Sequence, residues 1–238
     1  MSVDLSLVLP CYNEEKNITL ICNEFLDLPL QNYNAELILV NNGSEDNTKN
    51  VAEKEIENNN SKNISIKLVN LIKNVGYGGG IAEGLKIAKG DYIGWAHADL
   101  QTPMFDFLKL YLLIKDKKKI LGKGFRTNNR GFDGIISAFH EKLASLILGY
   151  KMNEINAQPK IFNRELLHLF SNMPYKWTTL DTYVMYVCLK NKIEIETIDV
   201  VFNTRKYGQS KWKNNFINFF SHIIFNVLYL FKLRFTKN

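Results

Sequence analysis

Apolar residues along the chain fall alternately into short unbroken runs and into helical spacing. Leu5 to Leu9, Glu36 to Val40 and Tyr92 to Ala96 are runs of five residues, the form taken by buried strands, and Ile64 to Leu71 alternates and predicts a further strand. Between them lie helical patterns. Asn13 is placed to N-cap a helix from Glu14 that carries Ile18, Ile21, Cys22 and Phe25. Ser44 is placed to cap a helix from Glu45 with Val51, Ala52 and Ile56, and a glycine-rich turn leads into a helix through Ala82, Leu85 and Ala88. This βαβαβαβ order predicts an α/β fold with a mostly parallel central sheet and helices on both faces.

Beyond Tyr92 to Ala96 the alternation continues. Pro103 and Met104 open a helix with Phe107, Leu108, Leu112 and Ile114 on its apolar face. Ile120 to Phe125, Ala157 to Phe162 and Ile193 to Phe202 predict further strands. Gly131 to Gly149 predicts a helix with Ile135, Phe139, Leu143 and Ile147 on one face; Arg164 to Phe170 and Leu180 to Leu189 predict two more. Phe216 to Phe231 is apolar nearly all round, relieved by a stripe of Asn218, His222 and Asn226 with Ser221 beside it. Sixteen residues give roughly 24 Å of helix, short of the roughly 30 Å hydrocarbon core. Lysines and arginines flank both ends, so the segment reads as a helix lying in a membrane interface or buried against another subunit. The organisation expected is one domain over residues 1–212 and a C-terminal helix over 213–238.

Composition narrows the picture. With 238 residues, 46% of them hydrophobic, the chain can build a sizeable core. A net charge of +6 suits phosphate-bearing or anionic partners, but the basic residues follow no nucleic-acid-binding pattern. Cys11, Cys22 and Cys188 form no CxxC pair and read as reduced core residues in a cytosolic setting. Asp4 and Pro10 break any apolar start, so no signal peptide is expected.

The candidate chemistry centres on Gly90 to Pro103, GDYIGWAHADLQTP. His97 and Asp99 stand two apart after a buried strand and project together, at the sheet edge where open α/β folds bind ligands. Asp99 either holds a divalent cation or caps the next helix through Thr102. His97 either joins that cation or is a hydrogen-bonded strand-end histidine. The glycines at 76, 78, 79 and 80 fail the G-x-G-x-x-G test, because Ile81 stands where the last glycine belongs. They serve either to offer amides to a phosphate or to let a helix pack closely.

VLPCYNEEKNI, VNNGSEDNT, NVGYGGGIAEGLKIAKGDYIGWAHADLQTP and TRKYGQSKW, in this order and spacing, resemble the family 2 glycosyltransferases of GT-A fold, nearest to the polyprenyl-phosphate sugar synthases of the dolichol-phosphate mannose synthase type. The resemblance covers residues 3 to 212. It implies that Pro10, Tyr12, Glu14 and Asn42 hold the nucleotide of a UDP- or GDP-sugar, with Ala98 beside them. Asp99, the last acid of the family's DxD motif, would bind Mg²⁺ or Mn²⁺, with His97 in place of the first. Gln101 would lie near the diphosphate or sugar. Arg205, Ser210 and Lys211 would reach donor or acceptor phosphates, and Arg126 the acceptor phosphate. Asn41, Asn42 and His97 depart from the family's acids, so the site carries less negative charge than the pattern prescribes.

The resemblance further implies an inverting transfer from a nucleotide sugar to a polyprenyl phosphate by a peripheral protein of the cytoplasmic membrane face, a homo-oligomer being possible. The alternatives are transfer to a saccharide or glycan hydroxyl, or a nucleotide-sugar binder without turnover. A hydroxyl acceptor needs a general base, and Asp181 in WTTLDTY is the candidate, its other reading being an acid at a helix N-terminus.

Overall fold

The computed structural model describes residues 2–128, 130–175, 179–207 and 216–236, with side chains in the last helix described at 221 and from 223 on. Seven strands form one sheet in the order β3-β2-β1-β4-β6-β5-β7. The strands are β1 (Val3–Cys11), β2 (Ala35–Asn42), β3 (Ile64–Leu71), β4 (Gly90–Trp95), β5 (Ile120–Arg126), β6 (Lys160–Asn163) and β7 (Glu194–Val200). All run the same way except β6, which is antiparallel to both β4 and β5. The helices are α1 (Glu15–Leu26), α2 (Thr48–Asn58), α3 (Tyr77–Ile87), α4 (Met104–Ile114), α5 (Phe132–Leu148), α6 (Thr179–Lys190) and α7 (Phe216–Phe235), with a 3₁₀ helix over Arg164–Phe170.

Two cores lie on the two faces of the sheet, and strand alternation divides residues between them. Leu5, Leu7 and Leu9 of β1 face α1, α2 and α4, whereas Val8 of β1 and Ile38 and Val40 of β2 face α3 and the helices that follow. Every residue of β2 is buried, as its unbroken apolar run predicts. Helix α3 packs against β1 and β2 because Gly84 lacks a side chain: a Cβ there would stand 2.3 Å from Cγ1 of Val8 and 2.9 Å from Cγ2 of Val40.

Several helix starts differ from the sequence reading. Asn13 does not cap α1; it adopts a left-handed backbone (φ 58°), and its Oδ1 accepts from the Glu45 amide at 2.9 Å. Ser44 does not cap α2, which begins at Thr48; its hydroxyl oxygen accepts from the Asn13 amide at 3.0 Å. The Glu14 amide donates to Thr48 Oγ1 at 2.8 Å and the Glu15 amide to Asp46 at 3.2 Å. The two loops thus satisfy each other's free amides, a solution invisible to any rule that looks within one helix.

Exposure also corrects the sequence reading. Leu112 of α4 is exposed, its core face being Phe107, Leu108, Leu110, Tyr111 and Ile114. On α5 the only buried residues are Ala144 and Leu148, while Ile135 and Phe139, expected to share an inward face with Leu143 and Ile147, point to solvent. The last helix is four residues longer than predicted, and no described helix is long and apolar enough to cross a membrane. Its Leu230 and Leu233 are buried in the second core, and Arg234 donates to the Leu148 carbonyl at the end of α5 at 3.0 Å.

Two stability predictions follow from this packing. Gly84→Ala is expected to cost about 1–3 kcal/mol by forcing α3 off the two valines. Leu230→Ala is expected to cost about 2–5 kcal/mol, because α7 is part of the core. Denaturant unfolding of both variants checks this, and an unchanged midpoint for Leu230→Ala would mean α7 is not docked in solution.

Candidate active site

The strand order places β4 beside β1, whereas β2 and β3 lie on the other side of β1. This reversal opens a crevice at the carboxyl ends of β1 and β4, the place where such sheets bind ligands. Pro10, Tyr12 and Glu14 leave β1 there, and His97, Ala98 and Asp99 leave β4.

Asp99 is buried and doubly engaged. Its Oδ1 accepts from the Gln101 amide at 3.2 Å, and its Oδ2 pairs with Nε of Arg205 at 3.1 Å. Helix α4 starts only at Met104, after Pro103, so Asp99 is not its cap. Arg205 Nε also donates to Gln101 Oε1 at 3.1 Å. Gln101 in turn donates through Nε2 to the Asn203 carbonyl at 2.8 Å, and the Asn203 amide donates to the Gln101 carbonyl at 2.8 Å. The segment after β7 is further tied down where Asn128 and Phe202 exchange two hydrogen bonds of 2.8 and 3.0 Å. It crosses the crevice as a strap and delivers Arg205 onto Asp99. Ser210 and Lys211 lie outside the described residues.

His97 stands between the rings of Tyr77 and Phe202, at centroid distances of 5.4 and 6.4 Å. Burial lowers its pKa, opposed by Asp99 and Asp181, and the imidazole is held towards its neutral, ligand-competent form. No cluster of three His, Cys, Asp or Glu able to hold a metal occurs among the described residues. His97 and Asp99 nevertheless fit a cation whose remaining positions are filled by substrate phosphate oxygens and water, the usual arrangement at phosphate sites.

The other predicted donor-side residues divide. Glu14 is half-buried and hydrogen-bonded to Asn17 at 2.6 Å; burial first, then the nearby Asp99 and Asp46, push its carboxyl up to about 7 against Asn17 and Arg205. Asn42 is committed elsewhere: its Nδ2 donates to the Gly76 carbonyl at 2.9 Å and its Oδ1 accepts from the Val75 amide at 3.0 Å. It holds the turn before α3. Asn41 does the same for its surroundings, donating to Asn70 at 2.6 Å and accepting from Ser44 at 3.2 Å. Two amides where the family pattern has acids thus build the walls. The glycine run is also structural in part, since the Gly79 amide donates to the Tyr175 carbonyl at 3.1 Å.

Arg126 ends β5, pairs with Glu154 and stacks its guanidinium 5.8 Å from the Phe202 ring centroid. Its Nη2 is buried without a hydrogen-bond partner. Arg130 reaches the same Glu154 at 3.6 Å. Asp181 is fully buried on α6, and its Oδ1 accepts from Lys160 Nζ at 2.7 Å and Gln158 Nε2 at 3.1 Å. Gln158 also donates to Tyr77 at 3.0 Å, which ties Asp181 to the ring packed on His97.

Sequence reasoning missed Lys160, Gln158, Lys123, Arg130 and Glu154. Lys123 and Lys160 face each other across β5 and β6, both fully buried, and burial with the neighbouring Lys160 brings Lys123 down to about 7. Lysines inside apolar strands were a readable signal, because a buried cation requires a partner.

Residues 6–170 match the model of glycosyl transferase family 2. The chain belongs to that family. It is 26% identical over 220 residues to a dolichyl-phosphate beta-glucosyltransferase of Trichomonas vaginalis, over 84% of this chain and 66% of that relative. It is 25% identical over 217 residues to a dodecaprenyl-phosphate galacturonate synthase of Rhizobium johnstonii, over 89% of this chain and 62% of the relative. The family 2 chain described here therefore spans just under two thirds of the length of these relatives. A crystal structure of glucosyl-3-phosphoglycerate synthase from Mycobacterium tuberculosis, in complex with Mn²⁺ and UDP-glucose, superposes with a TM-score of 0.70 at 17% identity, covering 97% of this chain and 79% of that one. At that identity the likeness is one of fold, and the fold is GT-A.

Two predictions come from the buried charges. Glu14 binds its proton more tightly folded than unfolded, because its pKa is raised from 4.5 to about 7. Its contribution to stability is therefore complete below 4.5 and lost as pH rises through 7. Glu14→Gln is expected to remove that decline, read by denaturant unfolding at a series of pH values; parallel curves for the two proteins would refute the shift. Lys160→Met leaves the Asp181 carboxylate buried alone and is expected to cost about 3–5 kcal/mol. Adding Asp181→Leu should recover part of that loss, and a double variant no better than the single one would show that the pair is not coupled.

Proposed function

We propose that this chain transfers a sugar from a nucleotide-sugar donor to a polyprenyl phosphate, with inversion at the anomeric carbon. The observation that carries the acceptor class is the state of Asp181. A hydroxyl acceptor needs a positioned base in hydrogen-bond reach. Asp181 instead sits in a buried pair with Lys160 and Gln158. A phosphate acceptor is already an anion near neutral pH and requires no such base. The names of the two relatives point the same way, one acting on dolichyl phosphate and the other on dodecaprenyl phosphate.

The parts take their roles from position. Glu14, Tyr12 and Pro10 border the nucleotide at the end of β1. Arg205 faces the diphosphate and, together with Lys211, neutralises charge as it develops on the leaving group, with Ser210 as a hydrogen-bonding group beside them. A divalent cation, as held with UDP-glucose in the Mycobacterium neighbour, would supply further charge neutralisation at the diphosphate and would be held by Asp99 with His97. Gln101 fixes Arg205 and lies beside the sugar. Arg126, with a nitrogen that has no hydrogen-bond partner, receives the acceptor phosphate. The C-terminal helix keeps the protein at a cytoplasmic membrane face, near its lipid acceptor.

The reading is tested by a donor screen that measures nucleotide release with and without polyprenyl phosphate. Release that depends on the polyprenyl phosphate is expected. Release only with a saccharide present would favour the hydroxyl-acceptor alternative, and tight donor binding without release would make the chain a binder. Asp99→Asn is expected to lower kcat by about a hundred- to a thousandfold with the fold intact. Near wild-type turnover that still requires a divalent cation would remove Asp99 from the site.

A further inference from the structure

Both oxygens of the Asp99 carboxylate are engaged by the chain itself. Oδ1 accepts from the Gln101 amide at 3.2 Å, Oδ2 pairs with Arg205 Nε at 3.1 Å, and the side chain is 6% exposed. Arg205 is the counter-ion for this burial, and a carboxylate left without one at such a position is strongly destabilising. The backbone that carries Arg205 is pinned. Gln101 Nε2 donates to the Asn203 carbonyl and the Asn203 amide to the Gln101 carbonyl, each at 2.8 Å. Phe202 and Asn128 exchange two further bonds, and the Thr127 amide donates to the Val200 carbonyl at 3.2 Å. These bonds hold the strap over residues 200–203. The Arg205 side chain extends beyond the last of them, is one-third exposed, and makes its contacts among the described residues through Nε alone.

This pairing conflicts with the cation-binding role of Asp99 proposed above. That role needs the carboxylate oxygen that Arg205 holds, and a guanidinium and a divalent cation on one oxygen repel each other. A diphosphate removes the conflict. It offers Arg205 a second anion suited to its planar fork, and it offers the cation further oxygen ligands. We propose that Arg205 stands in for the cation at Asp99 and is traded to the diphosphate when cation and nucleotide enter together, its side chain swinging while the strap stays pinned. A cation entering alone must push Arg205 off its partner into water. A diphosphate entering alone meets a guanidinium that Asp99 already neutralises. Each therefore raises the affinity for the other, and by the same factor. His97 sharpens the effect: an imidazole where the family pattern has an acid adds no negative charge to help a lone cation displace Arg205. The trade rests on the nucleotide-sugar reading above; the hold of Arg205 on Asp99 against a cation does not.

The test titrates the full chain with Mn²⁺, alone and with UDP or GDP, and follows free Mn²⁺ by electron paramagnetic resonance. Wild type is expected to bind Mn²⁺ weakly alone and at least about tenfold more tightly with the nucleotide it accepts. Arg205→Gln should bind Mn²⁺ alone roughly ten- to a hundredfold more tightly than wild type, the range for one lost charged contact, and should lose most of the further gain from nucleotide. An Arg205 that acts on phosphates only predicts no gain without nucleotide. Lys206→Gln is the control, since it removes the same charge one residue later from a side chain that pairs with Glu24. It should match wild type. Equal binding of Mn²⁺ alone by Arg205→Gln and wild type would overturn the proposal, as would an equal rise in Lys206→Gln, which would reduce the effect to net charge. If circular dichroism shows Arg205→Gln unfolded, the wild type decides by ¹⁵N NMR. Its Arg205 Nε–H signal should move when Mg²⁺ and nucleotide are added together, while the Phe202 and Asn203 amides stay slow to exchange. An unmoved signal, or loss of that protection, would refute a side chain swinging on a pinned strap. Failure of both UDP and GDP to bind with any cation would refute the nucleotide reading, and the comparison with Mn²⁺ alone would still decide whether Arg205 holds Asp99 against a cation.

Discussion

The pairing of β4 with β1, in register from Val3 opposite Gly90 to Val8 opposite Trp95, is the constraint on which the site depends. It reverses the direction in which strands are added and leaves the ends of β1 and β4 side by side with no helix between them. Tyr12, Glu14, His97 and Asp99 come to one rim for that reason alone. The close approach of α3 to β1 and β2, which Gly84 permits, keeps the glycine-rich turn on the same rim. Adding β6 antiparallel between β4 and β5 then sets Lys160 beside Lys123 and aims Gln158 and Lys160 at α6.

Around that rim, polar side chains are spent on holding loops to one another. Asn13, Ser44, Asp46 and Thr48 join the first two loops, Asn42 holds the turn before α3, and Gln101 with Asn128 fastens the strap that carries Arg205. Each is a contact between residues about thirty or more apart in sequence. A crevice that binds the donor proposed above would profit from walls already ordered, because the ordering entropy is then not charged against binding. The two asparagines standing where the family pattern has acids fit this account: an amide both donates and accepts, so Asn42 can bridge a carbonyl and an amide of one turn, which a carboxylate cannot.

The fold was legible because buried parallel strands are long apolar runs and because turn glycines and Pro103 punctuate them. Of the candidate site residues, Asp99, Gln101 and Arg205 were legible as a group from their types and order, and they are in contact with one another. Helix caps were not, since Asn13 and Ser44 have the right chemistry for local capping and are drawn instead into bonds across loops. Nor was the orientation of α5. Periodicity shows that Ile135 and Phe139 share a face, but not which face of a helix meets the core; that is decided by the small Ala144 and by Leu148, which allow close approach to the neighbouring helices. Asp181 was identified with both of its readings open, and neither anticipates its buried partner Lys160.

That partner bears on the chemistry more than any other unforeseen residue. A carboxylate at the end of a helix and open to water could meet a substrate hydroxyl; Asp181 is buried instead, with the Lys160 ammonium at 2.7 Å as its partner. Burial simultaneously lowers the pKa of Lys160, so the pair survives because each charge answers the other, and removing either leaves an uncompensated ion. The same logic runs through Arg126 and Glu154 and through Arg205 and Asp99. These last two differ in one respect: each has capacity left over, a buried nitrogen on Arg126 without a partner and a guanidinium on Arg205 whose contacts, among the described residues, are made through Nε. Cations with spare donors, beside carboxylates that already have partners, suit the two phosphate-bearing substrates proposed above better than one phosphate and one neutral hydroxyl.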